Sequence, residues 1–531
     1  MRSNALNTRR RPRMLRRLAR LLVLLGAPCV AGAAAPSSDS GPSLAPLFGD
    51  HAVLQRDKAD PVWGRAQPGD AISVTFHGRT ERATAGADGR WLVRIGPFPA
   101  SSEPSDLVVS GRSTLTLHDI VVGEVWLCSG QSNMEFTVDD GGGTYQVDNA
   151  QAEVAMANYP LIRQLKVERA VSTTPLETAK TGGWQAATPA TVGQFTAVGY
   201  FFARHLQGAL GVPIGIVDSP WGGTQIEAWM SDEARRSTSI EATLEARWKK
   251  SLSEWPPERV AKYPAEMEAW RKADDEARKK HTKNPLPWPE FPATDASPAL
   301  PGGLFNAMIA PLQPGAFRGI LWYQGESNVG RPEEYAELFP AMIRSWRAGF
   351  GQGDLPFYFV QLANFGSEYE VKDRGWALLR EAQTRALSLP ATGMAVTIDI
   401  GDSHNIHPRN KQELGRRLAL IAETNLFAVL PETSGPVFAR ATLEGKTLRV
   451  HFLHCGAELV ARGGPVRALE ISGADRQFFP AEGFIEADTL VVSSPDVSQP
   501  VAVRYAWSNA PTANLYGDTG LPVAPFRSDT W

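Results

Sequence analysis

The sequence predicts a central α/β domain, in which helices cover a parallel sheet, flanked by two β regions. From about residue 120, apolar runs of strand length alternate with amphipathic stretches of helix length. This alternation is typical of a parallel sheet with helices on its faces. Residues 44–119 and 431–531 instead alternate with the period of short β-strands. The length of 531 residues fits two to four domains.

The first 35 residues are typical of a secretory signal peptide. They hold eight arginines and no acidic residue, and an apolar run at 21–25 and a small-residue string at 31–35 follow the basic part. The apolar run is too short to span a bilayer. We therefore expect cleavage near Ala35, a linker at 36–43, and export to the periplasm or the medium. An uncut N-terminal anchor is the alternative; after cleavage, no integral membrane segment is expected.

The charge balance limits the expected partners. The chain has 54 Lys and Arg against 57 Asp and Glu, a net charge of −3, and loss of the eight leader arginines changes it to −11. An acidic protein repels nucleic acid and anionic lipid headgroups, so we expect a neutral ligand and no nucleic-acid partner. Cys128 and Cys455 would remain after cleavage, too few for a disulfide framework. The oligomeric state is left open.

Within residues 44–119, alternation at 71–76, a turn at Asp88-Gly89 and a returning strand at 91–95 predict an N-terminal β domain. Residues 120–430 form the predicted α/β domain. Its predicted strands are 120–127, 213–217, 319–323, 357–362 and 394–398, and its predicted helices are 199–210, 333–348, 376–389 and 411–427.

Residues 231–300 interrupt this alternation with charged helical sequence and then a Pro-rich stretch. We interpret them as a solvated helical insertion, with a lid over the site as the alternative. Strand-like alternation returns at 447–452 and 490–492 and predicts a C-terminal β region over 431–531.

Three polar loops follow predicted strand ends, where α/β sheets gather their ligand sites. In the first, Ser132 stands just past a glycine turn, where it can offer a nucleophilic hydroxyl and its own N–H; a helix-capping serine is the alternative. In the second, Gly222 and Gly223 leave backbone N–H groups open to a ligand. In the third, Asn328 offers a neutral donor beside the carboxylate of Glu326.

A fourth loop, residues 399–408, combines histidines and aspartates. A histidine there can act as general base, and a carboxylate behind it can fix its tautomer. Metal ligation by Asp402, His404 and His407 is the alternative. No further histidine or thiolate cluster completes such a site, so we predict neither a metal nor a cofactor.

Together the four loops resemble the four sequence blocks of the SGNH-type hydrolases, in particular the sialate O-acetylesterase group, which includes bacterial xyloglucan acetylesterases. The resemblance implies an SGNH-hydrolase-like three-layer α/β domain flanked by β-sandwich-like accessory domains. It covers most of residues 44–430. The segments that carry it are 123–134, 221–224, 322–328 and 406–411, with 53–56 and 61–64 in the N-terminal β domain.

The resemblance also implies roles for individual residues. Ser132 would be the nucleophile and His407 the general base and acid. The oxyanion hole would consist of the Ser132 N–H, a glycine N–H from Gly222 or Gly223, and the Asn328 amide.

This sequence departs from the pattern at one position. Many SGNH hydrolases have an aspartate three residues before the histidine, where this chain has His404. The acidic partner is then expected to be Asp402, followed by Asp399 or by a dyad that a backbone carbonyl assists.

The predicted function is that of an exported carbohydrate O-acetylesterase with a Ser-His-Asp acyl-enzyme mechanism. Its substrate would be a plant polysaccharide such as xyloglucan or an O-acetylated sialic acid. We favour a neutral polysaccharide, because the sequence singles out no arginine for a sialate carboxylate. A non-catalytic glycan-binding protein is the alternative. Candidate substrate-binding residues are Gln131, Trp221, Trp322, Tyr323 and Glu326.

Overall fold

The structure is a computed structural model that describes residues 41–141, 146–280, 282, 284–366, 374–429 and 435–531. The predicted signal peptide lies outside the described residues, as does most of the predicted linker. Within those ranges, no helix combines the length and the apolar character needed to cross a membrane. Cys128 and Cys455 are both buried free thiols.

The strands of the described residues are β1 (Ser43–Leu44), β2 (Val53–Gln55), β3 (Asp60–Arg65), β4 (Ala71–Phe76), β5 (Arg79–Thr84), β6 (Arg90–Ile95), β7 (Ser101–Ser110), β8 (Thr114–Gly130), β9 (Tyr159–Val167), β10 (Thr181–Ala187), β11 (Ile214–Pro220), β12 (Gly319–Tyr323), β13 (Phe357–Val360), β14 (Thr392–Ala395), β15 (Val437–Glu444), β16 (Thr447–Leu453), β17 (Leu459–Ala461), β18 (Leu469–Ser472), β19 (Phe478–Pro480), β20 (Glu482–Glu486), β21 (Thr489–Ser493), β22 (Ala502–Tyr505), β23 (Leu515–Gly517) and β24 (Phe526–Arg527).

The α-helices are α1 (Ser132–Glu135), α2 (Ala150–Ala155), α3 (Ala197–Leu210), α4 (Asp232–Arg236), α5 (Glu241–Glu254), α6 (Pro257–Val260), α7 (Tyr263–Lys279), α8 (Pro332–Phe350), α9 (Gly375–Arg385) and α10 (Lys411–Phe427).

The central sheet has the strand order β10-β9-β11-β8-β12-β13-β14. Neighbouring strands are parallel from β9 to β14, and β10 is antiparallel to β9. Every residue of β11, β12 and β13 is buried, as expected for strands covered on both faces. The predicted α/β fold with a parallel sheet is therefore confirmed.

Two tryptophans show that helices cover both faces of this sheet. Trp322 of β12 is in register with Ser129, three residues after Trp126 in β8, so the two side chains point to opposite faces. Trp126 packs on Phe202 of α3, and Trp322 packs on Trp346 of α8. Helix α10 packs against α3, and α9 against α8. The central domain thus has three layers.

Strand β8 links the N-terminal β region to the central sheet. It is a single strand of 17 residues that crosses position 119/120, where the sequence placed the end of the N-terminal domain. Its first part pairs with β7 and β2, and its second part with β11 and β12. The strand therefore carries the chain directly from the N-terminal region to the site.

The C-terminal region forms further antiparallel sheets, chiefly β15-β16-β21-β20 and β19-β18-β22-β24. They enclose a second hydrophobic core, which is separate from the core of the central domain. Val396 and Ile398 also belong to this second core. The predicted β-sandwich-like accessory architecture is confirmed. Residues 231–300 contain α4 to α7.

Candidate active site

The candidate site lies at the carboxyl end of β8. From β8 the chain continues to β9 on one side of this strand, whereas β12 is its neighbour on the other side. Such a reversal of strand order opens a crevice at the carboxyl ends of the strands in α/β sheets. Gly130 ends the strand with φ 136°, and a Cβ there would lie 2.1 Å from the Tyr323 carbonyl oxygen. Only glycine fits this close approach. The chain then turns into α1, which begins at Ser132.

Ser132 and His407 meet across this crevice. The Nε2 atom of His407 lies 2.8 Å from the Oγ atom of Ser132, a hydrogen-bond distance suited to proton transfer. His407 stands in the loop before α10, 275 residues away in sequence. The structure therefore brings together the two residues predicted as nucleophile and general base.

The glycines predicted to contribute to an oxyanion hole lie directly beside Ser132. A Cβ on Gly222 would be 3.1 Å from the Ser132 Cβ. The Gly222 N–H donates to the Glu135 Oε2 atom at 3.0 Å. The N–H groups of Gly223 and Ser132 make no hydrogen bond within the described residues. Of the two glycines, only Gly223 therefore keeps its N–H unengaged within the described residues, and its assignment as an oxyanion donor stays a prediction.

Asn328 is buried next to these loops, and its amide is engaged on both sides. Its Nδ2 donates to the Glu227 Oε2 atom at 3.1 Å, and its Oδ1 accepts from Gln324 Nε2 at 2.7 Å and the Ile226 N–H at 3.0 Å. These bonds tie the third loop to the segment after the glycines. Its assignment as an oxyanion donor stays a prediction.

The two candidate acids of the fourth loop have different surroundings. The Asp402 side chain is 53% exposed, and its Oδ1 accepts the His404 N–H at 2.8 Å. Both oxygens of Asp399 accept from the Arg417 guanidinium, at 2.6 and 2.7 Å. Asp399 is thus committed to an ion pair, whereas Asp402 as the partner of His407 stays a prediction.

A buried polar cluster, consisting of Asn133, Glu326 and Lys411, lies next to Ser132 and the loop of His407. Asn133 Nδ2 donates to Glu326 Oε1 at 2.6 Å, and Lys411 Nζ donates to Asn133 Oδ1 at 2.6 Å. Burial lowers the pKa of Lys411 to about 7 against the opposing effect of Glu326, and burial raises the pKa of Glu326. Sequence analysis did not assign Asn133 or Lys411 a role, although both stand in the segments that carry the resemblance.

Most of the predicted substrate-binding residues are interior. Trp322 and Tyr323 are 1% exposed, and Trp322 packs between other tryptophans of the core. Gln131 is also buried, and its Oε1 accepts long hydrogen bonds from the Gly325 and Ser327 N–H groups. In the structure these three side chains, like Glu326, support the loops rather than line a sugar-binding surface. Trp221 is partly exposed.

A pair of charged residues beside Trp221 was not found from the sequence. Glu135 Oε1 accepts from Arg169 Nε at 2.7 Å, and the Arg169 guanidinium lies 5.5 Å from the centroid of the Trp221 ring. Arg169 is 51% exposed. It follows β9, a strand that sequence analysis did not draw because Arg163 and Lys166 interrupt its apolar run.

The insertion reaches the site through Phe291. A Cβ on Gly223 would lie 3.1 Å from the Phe291 ring, so this half-buried side chain covers the glycine on one side. The insertion (residues 231–300) is therefore not solvated throughout, because one of its side chains packs against the candidate site. In the part of the chain that the structure describes, His, Cys, Asp and Glu side chains form no group of three or more that could hold a metal ion.

Known carbohydrate esterases are similar to this chain. A family model described as "Carbohydrate esterase, sialic acid-specific acetylesterase" matches residues 122–274 and 301–423. The sialate O-acetylesterases of Rattus norvegicus and Homo sapiens are each 30% identical to this chain, over 91% and 92% of it and over 94% and 93% of their own lengths.

A solved structure is also similar. The crystal structure of a carbohydrate acetylesterase from Xanthomonas citri matches with a TM-score of 0.76 and 41% identity, covering 92% of this chain and all of that one. The predicted resemblance and the predicted esterase class are thus confirmed: this chain belongs to the sialic acid-specific acetylesterase family of carbohydrate esterases.

Proposed function

We propose that this esterase removes acetyl groups from sugar hydroxyls through an acyl-enzyme on Ser132. The observation that carries the proposal is the 2.8 Å contact between Ser132 Oγ and His407 Nε2. His407 takes the hydroxyl proton while Oγ attacks the acetyl carbonyl. The Ser132 and Gly223 N–H groups face the oxyanion that forms, with Asn328 as the predicted third donor.

The intermediate then collapses, the bond to the sugar oxygen breaks, and His407 returns its proton to that oxygen. In the second half-reaction, water gives a proton to His407 and attacks the acyl carbonyl. The bond between the acyl carbon and Ser132 Oγ then breaks, His407 returns the proton to Oγ, and acetate leaves.

Asp402 is the acid that we propose behind His407. The two aspartates of this loop are not equivalent, because both carboxylate oxygens of Asp399 accept hydrogen bonds from Arg417. Asp402 keeps one oxygen beyond its bond to the His404 N–H. Hydrogen bonds of catalytic groups often tighten only when substrate is bound, and the loop around Asp402 is at the surface.

The proposed substrate is a neutral acetylated polysaccharide such as xyloglucan, with an O-acetylated sialic acid as the second candidate. A sialate carboxylate would need an arginine. Arg409, two residues after His407, is 47% exposed but pairs with Asp148, and Arg169 is half-exposed beside Trp221. Its charge is already balanced by Glu135, which favours a neutral sugar.

Acetate release from acetylated xyloglucan, xylan and sialosides, together with an aryl acetate, tests this function. We expect release from xyloglucan to exceed release from sialosides and to vanish in Ser132→Ala. The half-buried Ser403 of the fourth loop, whose hydroxyl bonds to His404, offers a matched control, Ser403→Ala. Full activity of Ser132→Ala would overturn the mechanism, and no release by the wild type would favour the glycan-binding alternative.

We also propose that the protein is exported, because basic, apolar and small residues follow one another in this order within positions 1–35. N-terminal sequencing of the protein recovered from the periplasm or medium should start near Pro36. A cytoplasmic protein that starts at Met1 would contradict the proposal.

A further inference from the structure

We propose that Asn133 is a positioning residue that holds His407 in place through the Ile406 carbonyl. Asn133 directly follows the nucleophile, and its Nδ2 donates to the Ile406 carbonyl oxygen at 3.0 Å. Ile406 directly precedes His407. A single buried amide therefore connects the chain segments that carry the two reacting groups. This inference rests on the proposed function of Ser132 and His407.

The partners of Asn133 fix the orientation of its amide. The Ile406 carbonyl oxygen can only accept, so the amide atom that faces it at 3.0 Å must be Nδ2, and Oδ1 therefore faces Lys411 Nζ at 2.6 Å. The Ile406 carbonyl and the Glu326 carboxylate accept, and both face Nδ2. Both amide protons are thus used, one on each acceptor. Among the common side chains of this size, only an amide supplies two donors and an acceptor together.

Other segments also bond to the fourth loop (residues 399–408) and to the residue just after it, but on either side of His407: the Gly366 N–H donates to the Ser403 carbonyl and the Asp148 N–H to the Arg409 carbonyl. Two bonds nearer to His407 lie within the loop. The His407 N–H donates to Asn405 Oδ1 at 2.9 Å, and the Asn405 N–H donates to the Asp402 carbonyl at 3.1 Å. These residues belong to the loop itself, and Asp402 is half-exposed. The bond from Asn133 instead joins the loop to α1, directly after the buried end of β8. Loss of it should let the imidazole drift from the Ser132 hydroxyl.

The cluster allows a swap that separates this role from general stability. Asn133→Asp alone places two carboxylates side by side in the interior, which we expect to destabilise the fold. Adding Glu326→Gln supplies an amide at position 326 that can donate to the new carboxylate, while Lys411 still donates to it. The double variant restores the charge of the cluster, but its aspartate cannot donate to the Ile406 carbonyl.

The experiment compares the melting temperature, kcat and KM of the wild type, Asn133→Asp and Asn133→Asp/Glu326→Gln with an aryl acetate. We expect the double variant to regain most of the lost melting temperature. Its kcat should stay roughly 100-fold below the wild type with KM nearly unchanged, because a misplaced base slows only the chemical step. A kcat within about threefold of the wild type would overturn the proposal.

If the double variant does not fold, a second pair decides. Asn133→Ala removes the bond to Ile406, whereas Glu326→Gln keeps it; both are assayed below their melting temperatures. We expect the kcat loss to be at least about tenfold larger in Asn133→Ala. Equal losses would overturn the proposal. Full activity of Ser132→Ala would instead mean that the proposed function has failed.

Discussion

Ser132 and His407, the proposed catalytic pair, are held in place in different ways. Ser132 stands at the end of a buried strand, and the side chain behind it, Asn133, has partners for both polar atoms in the interior. His407 stands in a surface loop, where Asp402 is half-exposed and bonds to the loop's own backbone. This contrast implies that the sheet fixes Ser132. The position of His407 would then depend partly on Asn133, the residue next to Ser132.

The largest expected effect distinguishes the two histidines of that loop. His407→Ala should lower kcat/KM by roughly 10⁴-fold, because the serine then lacks its base. His404→Ala is the matched control: this side chain is 94% exposed and bonds to Ser403. We expect its activity to stay within about threefold of the wild type. Similar losses in both variants would contradict the assignment of the base.

Gly222 tests how tightly the nucleophile's side is packed. Gly222→Ala would place a methyl group 3.1 Å from the Ser132 Cβ and 3.0 Å from a Glu135 oxygen. The turn must then shift, and we expect kcat to fall roughly 100-fold. Gly208→Ala in α3 is the control, since no atom lies within 4 Å of a Cβ there. An unchanged kcat in Gly222→Ala would show that this contact is not critical.

Substitution of Asp402 should mainly lower activity, whereas substitution of Asp399 should mainly lower stability. Asp402→Asn should lower kcat by roughly 10- to 100-fold with little loss of stability, because its carboxylate is half-exposed. Asp399→Asn should instead lower the free energy of unfolding by about 3 kcal/mol, since it leaves the buried Arg417 partly unpaired. Activity assays and urea unfolding of both variants measure this. A normal rate in Asp402→Asn would reject Asp402 as the acid.

The smallest expected effect on activity concerns Asp218 of β11, which lies in register with Cys128 beneath the site. Both of its carboxylate oxygens are buried and have no hydrogen-bond partner among the residues that the structure describes, and Lys166 Nζ lies 3.6 Å away. Burial raises its pKa to about 7 from 3.8. Between these values the folded state holds the proton more tightly than the unfolded state, so wild-type stability should fall as pH rises through this window.

Asp218→Asn removes this titration. Relative to the wild type, its free energy of unfolding should therefore increase from about pH 4 to pH 7, by on the order of 2 to 4 kcal/mol. Urea unfolding at several pH values measures the difference. A constant difference between the two proteins would contradict a buried, neutral carboxyl at this position.

Sequence periodicity predicted the central fold well, because each parallel strand is a continuous apolar run. It placed β12 and α10 at their observed bounds. It cut β8 short because His118 and Asp119 interrupt that strand with polar residues. Asp119 has φ 59° and is bound by His51 and Arg163, a tertiary stabilisation that periodicity alone does not reveal.

The site was predicted unevenly for a similar reason. Ser132 and His407 could be assigned because their chemistry is distinctive and the resemblance names their blocks. Asn133, Lys411 and Arg169 could not, since an asparagine or a basic residue has no fixed role until its partners are known. Conversely, Trp322 and Tyr323 follow the expected strand position but point into the core, which depends on strand parity and helix packing.

Covalent labelling of the nucleophile tests the central claim most directly. The wild-type protein is treated with a serine-directed organophosphate, and the adduct is located by peptide mass spectrometry while acetate release is followed. We expect one adduct, on Ser132, that forms in proportion to the loss of activity and forms much more slowly in His407→Ala. Complete inactivation with Ser132 unmodified and the adduct on another residue would contradict the account.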